Sequence, residues 1–95
     1  MSVVYVYCPG NVISGGVYSL HNLCAGLIHA GFKAGMVYHS VDPDVVNHAN
    51  IRSFQVPVFT HVEDKKDNLL IVSETEIAFL NYFNAIKKAV YWLGL

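Results

Sequence analysis

Two kinds of apolar pattern alternate along the chain: continuous runs and runs at helical spacing. Residues 3–7, Val-Val-Tyr-Val-Tyr, are β-branched and aromatic without polar alternation. Such a run is typical of a strand buried on both faces, and it predicts a mostly parallel sheet with helices on either side. Residues 34–38 and 69–72 have the same character, and residues 89–93 form a further apolar strand. Four strands are therefore predicted.

A helix is predicted between the first two strands, over residues 17–30. Gly31 supplies the left-handed position that ends many helices. Gly26 lies inside the helix, where we expect it to allow close packing on the sheet. His21 lies away from the centre of the apolar stripe, so a solvated or capping role is expected. The stripe consists of Val17, Leu20, Leu23, Cys24, Leu27 and Ile28.

The middle of the chain is less regular. Asp42 is a predicted helix cap and Pro43 a first helical residue, so a short helix to about residue 48 is expected. Residues 55–60 are predicted to form an edge strand, because Pro57 is poorly tolerated inside a sheet. Residues 63–68 are charged, which predicts a solvated loop.

A second helix is predicted after residues 69–72. Ser73 and Glu76 have the spacing of a capping box, in which each side chain bonds to the backbone near the other residue. We expect apolar residues to line this helix and two lysines to close it: Ile77, Leu80, Phe83 and Ile86, then Lys87 and Lys88. Tyr91 and Trp92 on the last strand are expected in the core.

These elements predict one domain over residues 1–95 with an α/β, Rossmann-like, three-layer fold. Strand, helix and strand within about forty residues form a βαβ unit, whose crossover is almost always right-handed. The longer excursion that follows should return the chain to the far side of the first strand. We therefore expect the first strand to lie between residues 34–38 and residues 69–72, in a sheet incomplete at its C-terminal end.

Composition narrows the function classes. Of 95 residues, 54% are hydrophobic and 14% charged, and the net charge is −1 without a basic run. A nucleic-acid or anionic-membrane surface is therefore not expected. No apolar run reaches the ~18 residues of a membrane span, so no integral membrane segment is expected. Cys8 and Cys24 lie in apolar surroundings typical of buried free thiols, which favours a soluble, cytoplasmic protein.

The candidate site is the Gly15-Gly16 pair, which follows the first strand and opens the first helix. Two interpretations are open: a turn that needs positive φ, or a loop that lets backbone amides approach an anion. Glu74 follows a central strand at the same sheet edge, where it either faces a cleft or favours the dipole of its own helix.

Several familiar sites are disfavoured. The chain has no G-x-G-x-x-G and no Gly-Lys-Ser/Thr, and His39 and Ser40 stand where a dinucleotide fold carries an acidic ribose ligand. None of the five histidines pairs with another at i, i+4, and no Cys-x-x-Cys occurs. No metal and no cofactor are predicted.

Three stretches together resemble a known family. The stretches are "GGVYSLHNLCAGLIHAGFKAGMVY", "DNLLIVSETE" and "IKKAVYWLGL". In this order they resemble the N-terminal half of GT-B-fold glycosyltransferases, in particular the retaining group similar to glycogen synthase. Ser73 stands where proline is common in that family.

The resemblance implies a specific division of labour. In that family two Rossmann-like domains face each other; the C-terminal domain holds most of the nucleotide sugar and the N-terminal domain chiefly binds the acceptor. The resemblance implies that Gly15 and Gly16 reach the donor phosphates and that Asn11 and Glu74 face the cleft. The basic pair and paired glutamates of the C-terminal domain are absent, as is the histidine that often follows the last strand.

The sequence therefore favours part of the N-terminal half of a glycosyltransferase, inactive in isolation, with a nucleotide-sugar donor and an acceptor as partners of the complete enzyme. The exposed last strand should promote self-association. Two alternatives remain: a flavodoxin-like domain that binds another phosphate ligand, and an interaction module without a small ligand.

Overall fold

The computed structural model describes residues 2–93, which contain one open sheet of four parallel strands. The strands are β1 (Val4–Pro9), β2 (Ala34–His39), β3 (Leu69–Ser73) and β4 (Lys87–Tyr91), in the order β2-β1-β3-β4. Val4 lies opposite both Ala34 and Leu69. The α/β fold class and the central position of β1 are therefore as predicted.

Two apolar layers cover the sheet, one on each face. Alternate residues of β1 point to opposite faces, as strand geometry requires. Val4, Val6 and Cys8 pack with helix α1 (Gly15–His29). Val3, Tyr5 and Tyr7 pack on the other side, beneath a 3₁₀ helix, Glu74–Tyr82. The residues of the continuous apolar run at the start of the chain are therefore buried on both faces of the sheet, as expected.

Helix α1 begins two residues earlier than the apolar stripe predicts. Ser14 is its N-cap, and the Ser14 Oγ accepts a 3.3 Å hydrogen bond from the Val17 N–H. Gly31 follows the helix with a φ of 96°, which confirms its left-handed role. Gly26 does not serve close packing, because a Cβ built on it has no heavy atom within 4 Å.

His21 is fully buried, which corrects its expected solvated or capping role. Its Nδ1 lies 2.7 Å from the Val17 carbonyl oxygen and its Nε2 lies 2.6 Å from the Tyr38 hydroxyl. A carbonyl oxygen only accepts, so Nδ1 carries the proton. Burial lowers the pKa of His21. The neutral ring then accepts a hydrogen bond from Tyr38 at Nε2.

The segment after β2 contains two single-turn helices, α2 (Pro43–Val46) and α3 (Ala49–Arg52). Asp42 caps α2 as predicted, accepting a 2.9 Å hydrogen bond from the Asp44 N–H. The predicted strand over residues 55–60 is reduced to a single bridge between Val58 and Met36. Its edge position is correct: the Pro57 carbonyl accepts the Met36 N–H and the Phe59 N–H donates to the Met36 carbonyl, both at 2.8 Å.

The charged residues 63–68 are not simply a solvated loop. Asn68 is buried; its Oδ1 accepts the Val3 N–H at 2.9 Å and its Nδ2 donates to the Glu63 carbonyl at 3.0 Å. The Asp64 carboxylate accepts three backbone N–H groups at the turn before β4, those of Asn84, Ala85 and Ile86. These bonds lower the pKa of Asp64. The loop therefore joins the starts of β1 and β4.

The second predicted α-helix is a 3₁₀ helix with a kink at Glu76. The capping box is also wrong: Ser73 makes no capping bond to the backbone, and its Oγ lies 2.8 Å from the Thr75 hydroxyl. Leu80 and Phe83 pack on the core, whereas Ile77 is exposed. The chain then enters β4 directly at Lys87, so the two lysines begin a strand rather than close a helix.

Strand β4 is an edge strand with both faces largely exposed. The expected core positions of Tyr91 and Trp92 are therefore wrong: their exposed fractions are 38% and 72%. Within residues 2–93 the 3₁₀ helix contacts β4 but leaves these two aromatic residues exposed. In the same part of the chain, no helix has the length and apolarity required to cross a membrane.

Candidate functional site

All four strands are parallel, so their carboxyl ends meet at one edge of the sheet. We call this the C-terminal edge; it comprises the ends of β1 to β4, at Pro9, His39, Ser73 and Tyr91, and the loops that follow them. In open α/β sheets ligands bind beyond this edge. Gly15, Gly16, Asn11 and Glu74 follow strands here, as the sequence predicted.

Hydrogen bonds to Ser14 order the start of α1 and leave two backbone N–H groups without an acceptor in the described part of the chain. Ser14 accepts the Val17 N–H through its side chain and the Tyr18 N–H through its carbonyl oxygen. Among residues 2–93, no acceptor is recorded for the N–H groups of Gly15 and Gly16. An α-helix start carries a partial positive charge of about half an elementary charge, which suits an anion.

Gly15 is not required by the conformation of the turn. Within residues 2–93 only Gly31 among the glycines has a positive φ. A Cβ built on Gly15 has no heavy atom within 4 Å. The interpretation of the glycine pair as a turn that needs positive φ is therefore wrong, and open space lies in front of the Gly15 backbone.

Gly16 has a different surrounding, because the chain after β4 returns to it. A Cβ built on Gly16 would lie 3.2 Å from the Leu93 Cδ1 atom. The backbone N–H of Leu93 donates a 2.7 Å hydrogen bond to the Glu74 Oε2 atom. Glu74 thus lies at the same edge as the glycines and connects to them through Leu93. Any ligand at Gly16 must share this space with the Leu93 side chain.

Two backbone hydrogen bonds connect the loop between β1 and α1 to the end of β2 and the loop that follows it. The Gly10 N–H donates to the His39 carbonyl and the Gly10 carbonyl accepts the Asp42 N–H, both at 2.8 Å. Asn11 follows Gly10 directly and is exposed. These bonds hold the base of the glycine loop, while Asn11 is left accessible to a ligand at the C-terminal edge.

A cluster of three titratable residues at the same edge was not predicted. The Tyr7 ring stacks between the rings of Phe79 and His39, with centroids 3.6 Å and 4.9 Å away. The Nε2 of His39 lies 3.6 Å from the Glu76 Oε1, and both side chains are about one-third exposed. Burial and then the Glu76 charge raise the pKa of Tyr7.

This cluster could move a proton at the sheet edge. A partly exposed imidazole beside a carboxylate is a common arrangement for general acid–base chemistry. The spacing of His39 and Glu76 in the sequence gives no signal, because the two residues follow different strands. The signal that could have been used is their shared position just beyond parallel strand ends.

Neither thiol is activated. Burial raises the pKa of Cys8 to about 12 and that of Cys24 to about 11, and both cysteines are free. A nucleophilic cysteine needs a lowered pKa, so these are packing residues. Within residues 2–93 no group of three or more His, Cys, Asp or Glu side chains is arranged to hold a metal ion.

Comparison with known proteins adds no assignment. No protein-family profile, curated protein or solved structure matches the chain. A functional conclusion must therefore rest on the geometry of the C-terminal edge.

Proposed function

We propose that this chain is the acceptor-side, N-terminal domain of a two-domain GT-B glycosyltransferase. Its glycine loop reaches the phosphates of a nucleotide-sugar donor, and a second Rossmann-like domain holds the rest of that donor. The observation that carries the proposal is the open Gly15 backbone, a glycine without a conformational or packing need, at the start of α1. The parallel Rossmann-like sheet and the position of Glu74 at the same edge support it.

The free energy of these hydrogen bonds indicates how much of the donor binding this domain can supply. Two backbone hydrogen bonds to a charged phosphate contribute about 1.5–3 kcal/mol each, and the cost of association offsets much of that gain. The chain alone should bind a nucleotide sugar only in the millimolar range. It should transfer no sugar by itself, because most donor contacts belong to the second domain.

The test is a titration of the chain with uridine diphosphate glucose and with inorganic pyrophosphate, followed by amide NMR. We expect shifts of the Gly15, Gly16 and Val17 amides and a loss of those shifts in Gly15→Val. Gly26→Val is the matched control, because Gly26 lies on the same helix with equally open space and should bind as the wild type does.

The outcomes separate the proposal from its alternatives. Absence of shifts at the glycine loop would contradict the phosphate role. Micromolar binding by the chain alone would favour a stand-alone, flavodoxin-like ligand-binding domain instead. In an enzyme that joins this domain to a donor-binding domain, Gly16→Val should lower kcat without unfolding the protein. A Cβ at this position would lie 3.2 Å from the Leu93 Cδ1 atom and 3.8 Å from the Ser14 Oγ atom, and no backbone atom is among these neighbours.

Two further properties belong to the proposal. The buried free thiols fit a reducing compartment, so we expect the protein to act in the cytoplasm.

Strand β4 offers an unpaired edge with Val90, Tyr91 and Trp92 exposed, so we expect chains without a covering partner to self-associate through it. Nucleic acid is not an expected partner.

A further inference from the structure

A cavity among the described residues lies beside the edge strand β2 and is lined mainly by the segment that follows this strand. It has a volume of about 550 Å³ and is bounded by β2, α2, α3 and the residues that follow α3. This volume is within the usual range of small-molecule sites, about 300–1,000 Å³. We call it the β2-edge pocket.

The lining combines an apolar wall with three polar side chains. Val46, Ile51 and Val56 supply the apolar wall, and Asn47, Arg52 and Gln55 supply the polar groups. None of these three polar side chains makes a hydrogen bond or ion pair with another residue between 2 and 93. Their donors are therefore available to a ligand. Arg52 is the one cationic side chain recorded in the lining.

Tyr38 also lines the pocket, but its hydroxyl group already donates a hydrogen bond inside the protein. Because the Nδ1 of His21 donates to the Val17 carbonyl, the His21 Nε2 must accept from the Tyr38 hydroxyl. This bond fixes Tyr38 between the core and the pocket. The Tyr38 side of the pocket wall is therefore ordered before any ligand arrives, which lowers the entropic cost of contacts made there.

The backbone around the pocket is unusual. Within residues 2–93 only two residues other than glycine have a positive φ, Ser40 at 52° and Gln55 at 53°. Gln55 lines the pocket, and Ser40 precedes Val41, which also lines it. Such conformations cost free energy and cluster at functional sites. Here they turn the chain at both ends of the segment that forms the pocket.

We propose that the β2-edge pocket binds a small monocarboxylate that carries a compact aliphatic or aromatic body. The guanidinium of Arg52 pairs with the carboxylate, since its planar donors match two carboxylate oxygens. Asn47 and Gln55 add neutral donors, and the apolar wall contacts the body of the ligand. One cation favours a single negative charge over a phosphate dianion. This inference does not depend on the proposed transferase activity.

The test uses benzoate as the probe and benzamide as its neutral analogue of the same shape. Amide NMR titration of the 95-residue chain should show benzoate shifting the resonances of Val46, Ile51 and Arg52, with a dissociation constant of about 1 mM. Benzamide should bind at least about tenfold more weakly, because it lacks the charge that pairs with Arg52.

Arg52→Gln is the test variant and Lys66→Gln the matched control, since Lys66 is an exposed cation that does not line the pocket. Arg52→Gln should weaken benzoate binding about tenfold and leave benzamide unchanged, whereas Lys66→Gln should leave both unchanged. Absence of shifts at the pocket with tens of millimolar benzoate would overturn the proposal. Equal binding of benzamide, or equal losses in both variants, would overturn the carboxylate assignment.

Discussion

The carboxylate of Glu74 accepts the backbone N–H of Leu93 over 2.7 Å, and Leu93 in turn lies against Gly16 at the start of α1. Residues that follow β1, β3 and β4 are thereby joined at one edge of the sheet. This hydrogen bond is partly buried, and a bond to a charged acceptor is stronger than one between neutral groups. Glu74 therefore sets the position of the chain that borders the glycine loop.

Replacement of Glu74 by alanine should release this segment. We expect Glu74→Ala to lower the free energy of unfolding by about 1–3 kcal/mol, the usual cost of losing a charged hydrogen-bond partner. Hydrogen exchange of the Leu93 amide should become faster. Urea unfolding and amide exchange measure the two effects.

Glu63→Ala is the control for charge alone, because Glu63 forms an exposed pair with Lys65 at 2.8 Å. It should change stability less and leave the Leu93 amide unaffected. If Leu93 exchanges at the same rate in wild type and Glu74→Ala, the hydrogen bond does not hold this segment in solution.

The sheet could be predicted from the sequence because its signals are local and strong. Continuous apolar runs identified the buried strands, and a short crossover followed by a long one placed β1 in the centre. Gly31 and Asp42 also carry local signals, a left-handed position and a cap, and the structure confirms both. The apolar runs, the left-handed position and the cap each depend on neighbours in sequence, and the strand order follows from the lengths of the connections.

The 3₁₀ helix was predicted as an α-helix although its apolar residues recur every three positions. Ile77, Leu80 and Phe83 have the spacing of a helix with three residues per turn. The capping-box spacing of Ser73 and Glu76 favours an α-helix, whereas the structure has 3₁₀ turns interrupted by the kink at Glu76. The exposed Ile77 shows that even this periodicity does not identify the buried face.

The polar contacts of the candidate site could not be predicted from spacing. Asp64 binds amides at residues 84–86, and His39 meets Glu76 from a different strand end. Such pairs are fixed by the packing of the sheet, not by the local sequence. The burial of His21 is likewise decided by Tyr38, whose hydroxyl gives the imidazole a partner inside the core.

His21 predicts a pH dependence of stability. Burial lowers its pKa in the folded protein, whereas in the unfolded chain the pKa is about 6.5. Below that value the unfolded chain binds a proton that the folded protein does not, so stability falls as pH falls. Above about pH 6.5 both states are neutral and the contribution is fully present.

The expected loss is at most about 1.4 kcal/mol per pH unit, until the folded pKa is reached. Urea unfolding at about pH 7.5 and about pH 5.5 measures it. His21→Gln should remove most of this dependence, while His29→Gln, an exposed histidine of the same helix, should retain it. Equal pH dependence of His21→Gln and wild type would show that His21 is not kept neutral by the fold.

Strand β4 predicts self-association through its free edge. The Lys87 N–H donates to the Asn68 carbonyl at 3.0 Å, so the backbone N–H of Lys87 faces β3. The direction of the backbone N–H alternates along a strand. The N–H groups of Ala89 and Tyr91 therefore also face β3, whereas those of Lys88 and Val90 face outward. The Val90 N–H is thus a free donor on the exposed edge, beside the exposed aromatic residues.

Val90→Pro should therefore reduce association without breaking the pairing of β3 with β4, since proline is tolerated at an edge where its missing N–H faces solvent. Ala89→Pro removes an inward N–H and should unfold the strand. Sedimentation equilibrium at increasing concentration measures the association, and circular dichroism checks the fold. Phe32→Ser, which removes an exposed aromatic at the turn before β2, is the control and should associate as the wild type does. A wild-type chain that stays monomeric at high concentration would contradict the role of β4, because an uncovered edge with exposed Tyr91 and Trp92 should then have found a partner.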